Sequence, residues 1–384
     1  MMMIKIKFIN SILLLSFSFF SFTVMAQIES RMEISVTNNA TVNFNQHVLT
    51  VPWKDVLQKY PTIDTANFKV LNVSTKKEIP LQLEYRGTSS IQNLLIQVDV
   101  AAKSEVKFYL QKGRPTAIPS KTYCRYVPER KDDFAWENDR IAFRMYGKAL
   151  EGTKENAYGI DVWVKRTDRL VLNERYNRAA YHIDHGDGLD YYHVGFSLGA
   201  GNIAPCINDS IWYAKNYRQW KVMDNGPLRS SFQLSFDEWD VAGRMVKMVK
   251  TVSLDASSQL SRVEVNYSSS NKDSLPVVVG IIKRKEQGTI LLDEQNGIMG
   301  YWEPQHPAHG TTGTGTVFLQ PVVKMKVSND HLLTLLTTNT DKPFVYYTGA
   351  AWNKAGIITN AQNWFSYLQL FQQQLQLPLQ AKLL

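Results

Sequence analysis

The chain has 384 residues, 44% of them hydrophobic and 20% charged, with 43 Lys and Arg against 35 Asp and Glu. That composition supports a sizeable folded core and excludes a disordered, collagenous or coiled-coil chain. The cationic excess is modest and spread along the chain without a Lys/Arg block, which argues against a nucleic-acid partner and suits an anionic substrate. Aromatic residues are plentiful, with 9 Trp, 18 Tyr and 17 Phe; such residues serve sheet cores and sugar-stacking clefts alike.

Residues 1–26 read as an export signal. Lys5 and Lys7 give a basic start, Ile12 to Val24 an apolar stretch, and Val24-Met25-Ala26 a small-residue cleavage site. The expected mature chain starts at Gln27 and carries 41 basic and 35 acidic residues, the two lost cations being Lys5 and Lys7. No Cys follows the cleavage site and no later run of eighteen apolar residues occurs, so a periplasmic or secreted protein without a membrane partner is expected. Its two cysteines, Cys124 and Cys206, form either one bridge or two unpaired core residues.

Beyond the signal, period-two alternation recurs between Gly, Asn, Asp and Pro punctuation, and the chain is expected to be an all-β, antiparallel protein. Strands are expected around Ile34–Val36, Leu94–Val98, Val106–Leu110, Ile141–Met145, Ile160–Val164 and Phe232–Phe236. Short helical turns are expected near Trp53–Tyr60, with Pro52 at the first position. Asp240-Val241-Ala242-Gly243 marks a hairpin before a strand from Met245 to Leu254, and Pro276 to Ile282, apolar on both faces, reads as a central strand. Near the end, Trp364, Tyr367, Leu368, Phe371 and Leu375 recur at helical spacing behind Asn360 as N-cap. A Gly/Pro/Lys/Ser stretch at 111–121 separates an N-terminal β region, 28–113, from a main β-sandwich, 122–384. The first region is either a small sandwich of its own or part of one large two-sheet sandwich.

Four stretches can carry chemistry. In VPERKDDFAWENDRIAFRMYG (127–147), alternation puts Ile141, Phe143 and Met145 on one face and Arg140, Arg144 and Tyr146 on the other, where arginines grip a carboxylate and a phenol stands by; Arg130 and Trp136 belong to the same stretch. In YHIDHGDGLDYY (181–192), His182 and Asp184 would share a strand face and His185 would begin a turn. Histidine moves protons near neutral pH. His182, Asp184, His185 and Asp187 leave a divalent metal open, though their spacing matches no zinc signature. YAKNYRQW (213–220) offers Arg218 and Trp220 for charge and stacking on an acidic sugar. YWEPQHPAHGTTGTG (301–315) is a loop with Glu303, His306 and His309, of which His306 is a candidate at the rim of a cleft. The first three have a plain structural alternative: an ion-pair lattice, a solvated polar hairpin and aromatics in the sandwich core, respectively. There is no phosphate-binding Gly-rich loop, dinucleotide fingerprint, HExxH helix or Gly-x-Ser-x-Gly elbow, so nucleotide and standard esterase chemistry fall away.

The strings VPERKDDFAWENDRIAFRMYG, YGIDVWVKR and YHIDHGDGLDYYHVG, with WNKAG and NWFSYL near the end, resemble secreted bacterial proteins of the domain-of-unknown-function 4861 family, over most of the mature chain. Lys148 departs from that pattern, where a more compact residue is expected. The resemblance implies a large supersandwich of the mutarotase and lyase type and an association with polysaccharide degradation. It also implies removal of water from the non-reducing terminal uronate of an oligosaccharide. That chemistry needs the carboxylate neutralised, a base at C5 and an acid at O4. Arg140 and Arg144 can neutralise, His182 or His185 can be the base, and Tyr146 or Tyr191 the acid; Arg130, Trp136, Arg218, Trp220 and His306 complete the expected substrate contacts. A polysaccharide lyase, an epimerase or a non-catalytic glycan-binding protein fits the same residues, and a hydrolase would draw on Glu137 with Asp184.

Overall fold

Alternation along each strand decides the layers. A computed structural model describes residues 32–178, 180–269, 274–340 and 342–384, so the expected signal at 1–26 lies outside the described residues. Met32–Asn38 buries Ile34 and Val36 and pairs antiparallel with Ser104–Lys112 on one side and with Gln380–Leu383 on the other. Phe68–Asn72 and Glu78–Ile79 complete this five-stranded sheet. A three-stranded sheet of Phe44–Pro52, Asn93–Val100 and Leu81–Glu84 faces it across a core that includes Ile34, Phe44, Leu94, Ile96 and Phe108. The helix expected near Trp53 spans Trp53–Lys59 and buries Trp53 and Val56; Pro52 is its N-cap rather than its first residue.

The larger sandwich has one layer of nine strands. From edge to edge these are Gln219–Asn225, Arg229–Ser235, Arg244–Asp255, Leu260–Ser269, Phe344–Trp352, Thr312–Phe318, Ile298–Trp302 and Thr289–Asp293, with Trp239–Val241 added beside Arg244–Asp255. The hairpin at Val241–Arg244 forms as expected, with Ala242 and Gly243 both at positive φ and Asp240 Oδ1 accepting from Gly243 N at 3.1 Å.

Two five-stranded sheets face this layer. One runs Gly188–Asp190, Asp161–Lys165, Ala142–Met145, Asp133–Asn138, Thr122–Val127; the other runs Ser210–Ile211, Ala200–Ile207, Leu275–Ile282, His331–Thr338, Lys324–Val327. A parallel bridge between Ile160 and Gly199 joins them. Their inner faces meet the nine-stranded sheet in one apolar core, where Phe134 stacks on Phe232 at 4.2 Å and Val277 and Val279 share a cluster with Tyr346. Leu275–Ile282 is central in its sheet, as its two-sided apolar pattern predicts. Cys124 and Cys206 are both buried and unpaired.

The C-terminal helix spans Ala361–Gln376, and Asn360 Oδ1 accepts from Asn363 N at 2.9 Å. It packs Trp364 and Leu368 onto the outer face of the nine-stranded sheet, beside Trp302 and Val317. Among the described residues no helix is long and apolar enough to cross a membrane.

The turn expected from His185 is present, but the strand expected before it at His182–Asp184 is not. The segment 181–187 is irregular, and only Gly188–Asp190 is strand, so His182 and Asp184 do not share a strand face. Asp184 Oδ1 accepts from Gly186 N at 2.9 Å and Gly188 N at 3.0 Å, and both glycines have positive φ. A side chain that captures nearby amides competes with sheet pairing.

Candidate active site

The outer face of the five-stranded sheet that runs from Gly188–Asp190 to Thr122–Val127 carries charge where the inner face carries Phe134, Phe143 and Val162. Asp133, Arg144, Asp161 and Asp190 converge there because Arg144 pairs directly with Asp161 and the two flanking strands add the other acids. The Arg144 guanidinium lies 2.5 Å from Asp161, 3.1 Å from Asp190 and 3.4 Å from Asp133, and it sits over the rings of Tyr146 and Trp163. All four charged groups are at least nine-tenths buried. Burial pushes the Asp133 carboxyl up to about 6 and Asp190 well above the usual carboxylate range; Arg144 opposes both shifts, and the neighbouring Asp161 adds to them. Three buried carboxylates around one cation favour retention of a proton.

Beside this network lies a cavity of about 410 Å3 lined by Arg130, Tyr146, Lys154, His182, Tyr191 and His193, among others. Tyr146 sits two residues beyond Arg144 on the same face, its Oη 3.4 Å from Arg144 Nη2. Gly147 follows because its Cα lies against the Asp132 carbonyl, where a Cβ would come within 1.8 Å of the oxygen. Burial raises the Tyr146 phenol well above its ordinary value, so it is protonated at neutral pH. Tyr181 stacks on Trp163 at 5.1 Å and holds its loop to the sheet. The next residue, His182, has Nδ1 2.8 Å from the Asp190 carbonyl oxygen and 3.7 Å from its carboxylate, with the side chain 65% exposed. The carbonyl can only accept, so Nδ1 is the donor, and in the neutral ring Nε2 is the nitrogen with the lone pair. Arg130 donates from Nε to Tyr181 Oη at 3.1 Å, while its buried Nη1 has no hydrogen-bond partner among the described residues.

A second group packs around Tyr191, which also lines the cavity. Tyr191 shares a hydrogen bond of 2.6 Å with Thr312 Oγ1, and its ring lies 5.6 Å from His306 and 5.2 Å from His309, which stack on each other at 4.5 Å. His306 Nδ1 accepts the amides of Ala308 and His309, so its loop folds on itself. Behind them Arg284 lies over the Tyr192 ring, binds Glu303 at 2.6 Å and donates to the His193 carbonyl. Burial raises the Glu303 carboxyl to about 7 despite Arg284.

Of the residues singled out in the sequence, Arg130, Tyr146, His182 and Tyr191 line this cavity, His306 packs against Tyr191, and Arg144 lies at its edge, held by three acids. The others lie elsewhere. Arg140 belongs to the Asn138–Ile141 turn, with Nη2 3.4 Å from Gln46 Oε1, and lines a different cleft. Trp136 is buried in the sandwich core and donates to Ser261. Arg218 is bound by Glu151 and Asp237, Trp220 stacks on Tyr126 at 4.9 Å, and His185 is exposed, with Nε2 3.3 Å from the Ala180 carbonyl. Glu137 holds Lys165 and the amides of Val171 and Leu172, while Asp184 pairs with Arg166; they do not face each other across the cavity. Among the described residues no three His, Cys, Asp or Glu side chains converge as a metal-binding group, and Asp187 is bound to Arg178. The sequence places Asp133 in the charged 127–147 stretch without giving it a role, and it does not single out Asp161, Lys154 or Arg284. The one signal for Asp161 was local, a charged residue at each end of DVWVK on the face opposite Val162 and Val164.

Two solved structures share this fold. A glycosyl hydrolase family 38 protein from Enterococcus faecalis aligns with a TM-score of 0.54 at 11% identity, covering 93% of this chain and 48% of its own. An alpha-mannosidase from Enterococcus faecalis V583 aligns with a TM-score of 0.52 at 11% identity over 93% of this chain and 46% of its own. This chain thus spans about half their length, and identity this low establishes the fold alone. A relative at 30% identity over 344 residues, 83% of this chain and 85% of its own, is "Uncharacterized protein P7" of Formosa agariphila. The model of domain of unknown function 4861 matches residues 36–381, and the chain belongs to that family.

Proposed function

We propose that the protein is an exported carbohydrate-active lyase that removes water from the non-reducing terminal uronate of an acidic oligosaccharide, leaving a 4,5-unsaturated sugar. The observation that carries this reading is the arrangement around His182: an imidazole fixed by the Asp190 carbonyl with Nε2 free, in one cavity with a protonated buried phenol and an arginine whose Nη1 has no partner. These are the three groups that elimination beside a carboxylate requires.

In this scheme Arg130, aided by Lys154, binds the uronate carboxylate and withdraws charge from C5. His182 Nε2 takes the C5 proton, the electron pair forms the C4–C5 double bond, and the C4–O bond breaks. Tyr146 delivers its proton to the departing oxygen, which leaves as water, and the phenolate is reprotonated from the imidazolium or from solvent. Arg144 takes a positioning role, holding the acids under His182. The Tyr191–His306–His309 stack offers ring faces to the neighbouring sugar. The export signal read at 1–26 supports a periplasmic or secreted location.

The test is to incubate the mature chain with saturated uronate-ended oligosaccharides and to follow ultraviolet absorbance and product mass. Rising absorbance with loss of one water is expected, and His182→Ala should reduce turnover by about 10²-fold or more with unchanged melting. Two shorter fragments with rising absorbance would replace the dehydratase by a chain-cleaving lyase. Binding without turnover on every acidic glycan, or wild-type turnover in His182→Ala, would overturn the assignment.

A further inference from the structure

A second and larger cleft, of about 790 Å3, lies where the three-stranded sheet, the nine-stranded sheet and the C-terminal helix meet. Its floor is the outer face of the nine-stranded sheet. Register puts Ser231 beside Ser253, Ser253 beside Arg262 and Arg262 beside Tyr347, so alternation turns hydroxyls, a guanidinium and a phenol outward while Phe232, Val252, Val263 and Tyr346 face the core. One wall carries Gln46, His47, Thr50 and Arg86; the other carries Tyr367, Phe371 and Gln374 of the helix.

Much of the charge in this cleft is internally matched. Arg229 binds Asp255 and Glu84, and Arg262 binds Glu264. Arg86 and Arg140 are different: among the described residues neither guanidinium meets a carboxylate, and Arg140 has only the 3.4 Å bond to Gln46 Oε1. Gln259 also lines the cleft; it is 6% exposed and its Oε1 lacks a donor, which is costly unless a bound group supplies one. Two cations without counter-ions, a hydroxyl floor, ring faces and an acceptor awaiting a donor fit a ligand rich in hydroxyl groups that bears carboxylate or sulfate.

We propose that this cleft is a second binding site for an acidic oligosaccharide, separate from the cavity beside His182. Separate acid groups along the sugar chain engage Arg86 and Arg140, a hydroxyl donates to Gln259 Oε1, and pyranose faces lie on Tyr347 or Phe371. The ligand class rests on the reading of the substrate as an acidic glycan, whereas the existence of the site rests on the cleft itself. Such a site would hold a chain near the enzyme and raise the local concentration of its ends.

The test uses the mature chain with short oligogalacturonides and oligoglucuronides, and neutral cello-oligosaccharides as the comparison. Calorimetry is expected to show two sites for the acidic sugars. Arg86→Gln combined with Arg140→Gln should weaken one of them at least about tenfold, while His182→Ala leaves that same site intact. Because the double variant carries its own folding risk, hydrogen exchange on the wild-type chain provides a second reading: acidic sugar should protect residues 251–262 and 361–376 as well as 181–195. Protection confined to 181–195 with a single stoichiometric site would overturn the second site and leave the elimination reading standing. Protection at both with no unsaturated product would do the reverse. Equal binding of neutral sugars would overturn the role of Arg86 and Arg140.

Discussion

Glu303 and Arg284 form a buried pair behind Tyr192, where removal from water outweighs the attraction between them for the carboxylate. Since the folded carboxyl is raised to about 7 from an ordinary 4.5, the folded state holds a proton that the unfolded chain releases between those values. The stability from that protonated carboxyl is therefore full below about pH 4.5 and lost as pH rises through about 7. Glu303→Gln keeps a group that can accept from Arg284 and removes the titration. Chemical denaturation across this window should show wild type losing, relative to the variant, on the order of 3 kcal/mol by pH 7. Parallel curves would show that Glu303 is not held protonated. Residues of this kind are hard to find in a sequence. Glu303 stands in a Pro/Gly/His loop and Arg284 in a Lys/Arg-rich turn, and nothing in their spacing joins them. Tyr146, His182 and Tyr191 were legible because each lies in a locally dense stretch of polar and aromatic residues. Asp133 and Asp161 depend on cross-strand register, which one strand alone does not display.

At the level of elements, the helix Ala361–Gln376 was legible from its 3.6-residue period and its cap, but its docking surface was not. Gly300, Gly313 and Gly315 form a smooth patch on two adjacent strands, and Trp364 and Leu368 fill it; a Cβ at Gly315 would lie 2.6 Å from Leu368 Cδ1, and one at Gly313 would lie 2.6 Å from Trp302. The three glycines that weaken strand propensity at 300–315 thus allow close approach of the helix. Gly315→Val should lower stability by about 1–3 kcal/mol through overpacking, with faster amide exchange across 361–376 than elsewhere. An unchanged exchange pattern in that helix would show that the patch does not seat it. Asn360→Ala removes the cap acceptor and should cost about 1 kcal/mol in thermal unfolding. The same competition between local chemistry and period explains the segment that alternation misread. His182 and Asp184 have the spacing of one strand face, yet the Asp184 carboxylate binds the amides of the two glycines and Arg166, and the backbone turns from the start of the segment.

Across the whole molecule, the two ends of the described chain are stitched together. Gln380–Leu383 pairs with Met32–Asn38 through Ile34–Leu383 and Thr37–Gln380, and Leu379 and Leu383 pack on the core of the smaller pair of sheets. A four-residue strand that finds its partner at the far end of the sequence leaves no local signature, whereas the alternating strands of the large sandwich each carry their own. The consequence is mechanical. The C-terminal helix rests on the nine-stranded sheet and lines the second cleft, and the strand after it joins the five-stranded sheet of Met32–Asn38, so the last twenty-odd residues tie the smaller pair of sheets to the larger sandwich beside that cleft. Deleting residues 378–384 removes these pairings and leaves Met32–Asn38 as a bare edge. With each net hydrogen bond contributing about 1 kcal/mol, the loss should amount to a few kcal/mol and fall unevenly. Amide exchange should quicken across 32–38 and 104–112 while 244–269 keeps its protection, and acidic sugar should bind the second cleft more weakly without losing turnover at His182. Uniform quickening across all sheets would mean instead that the strand supports the entire sandwich as a single cooperative unit.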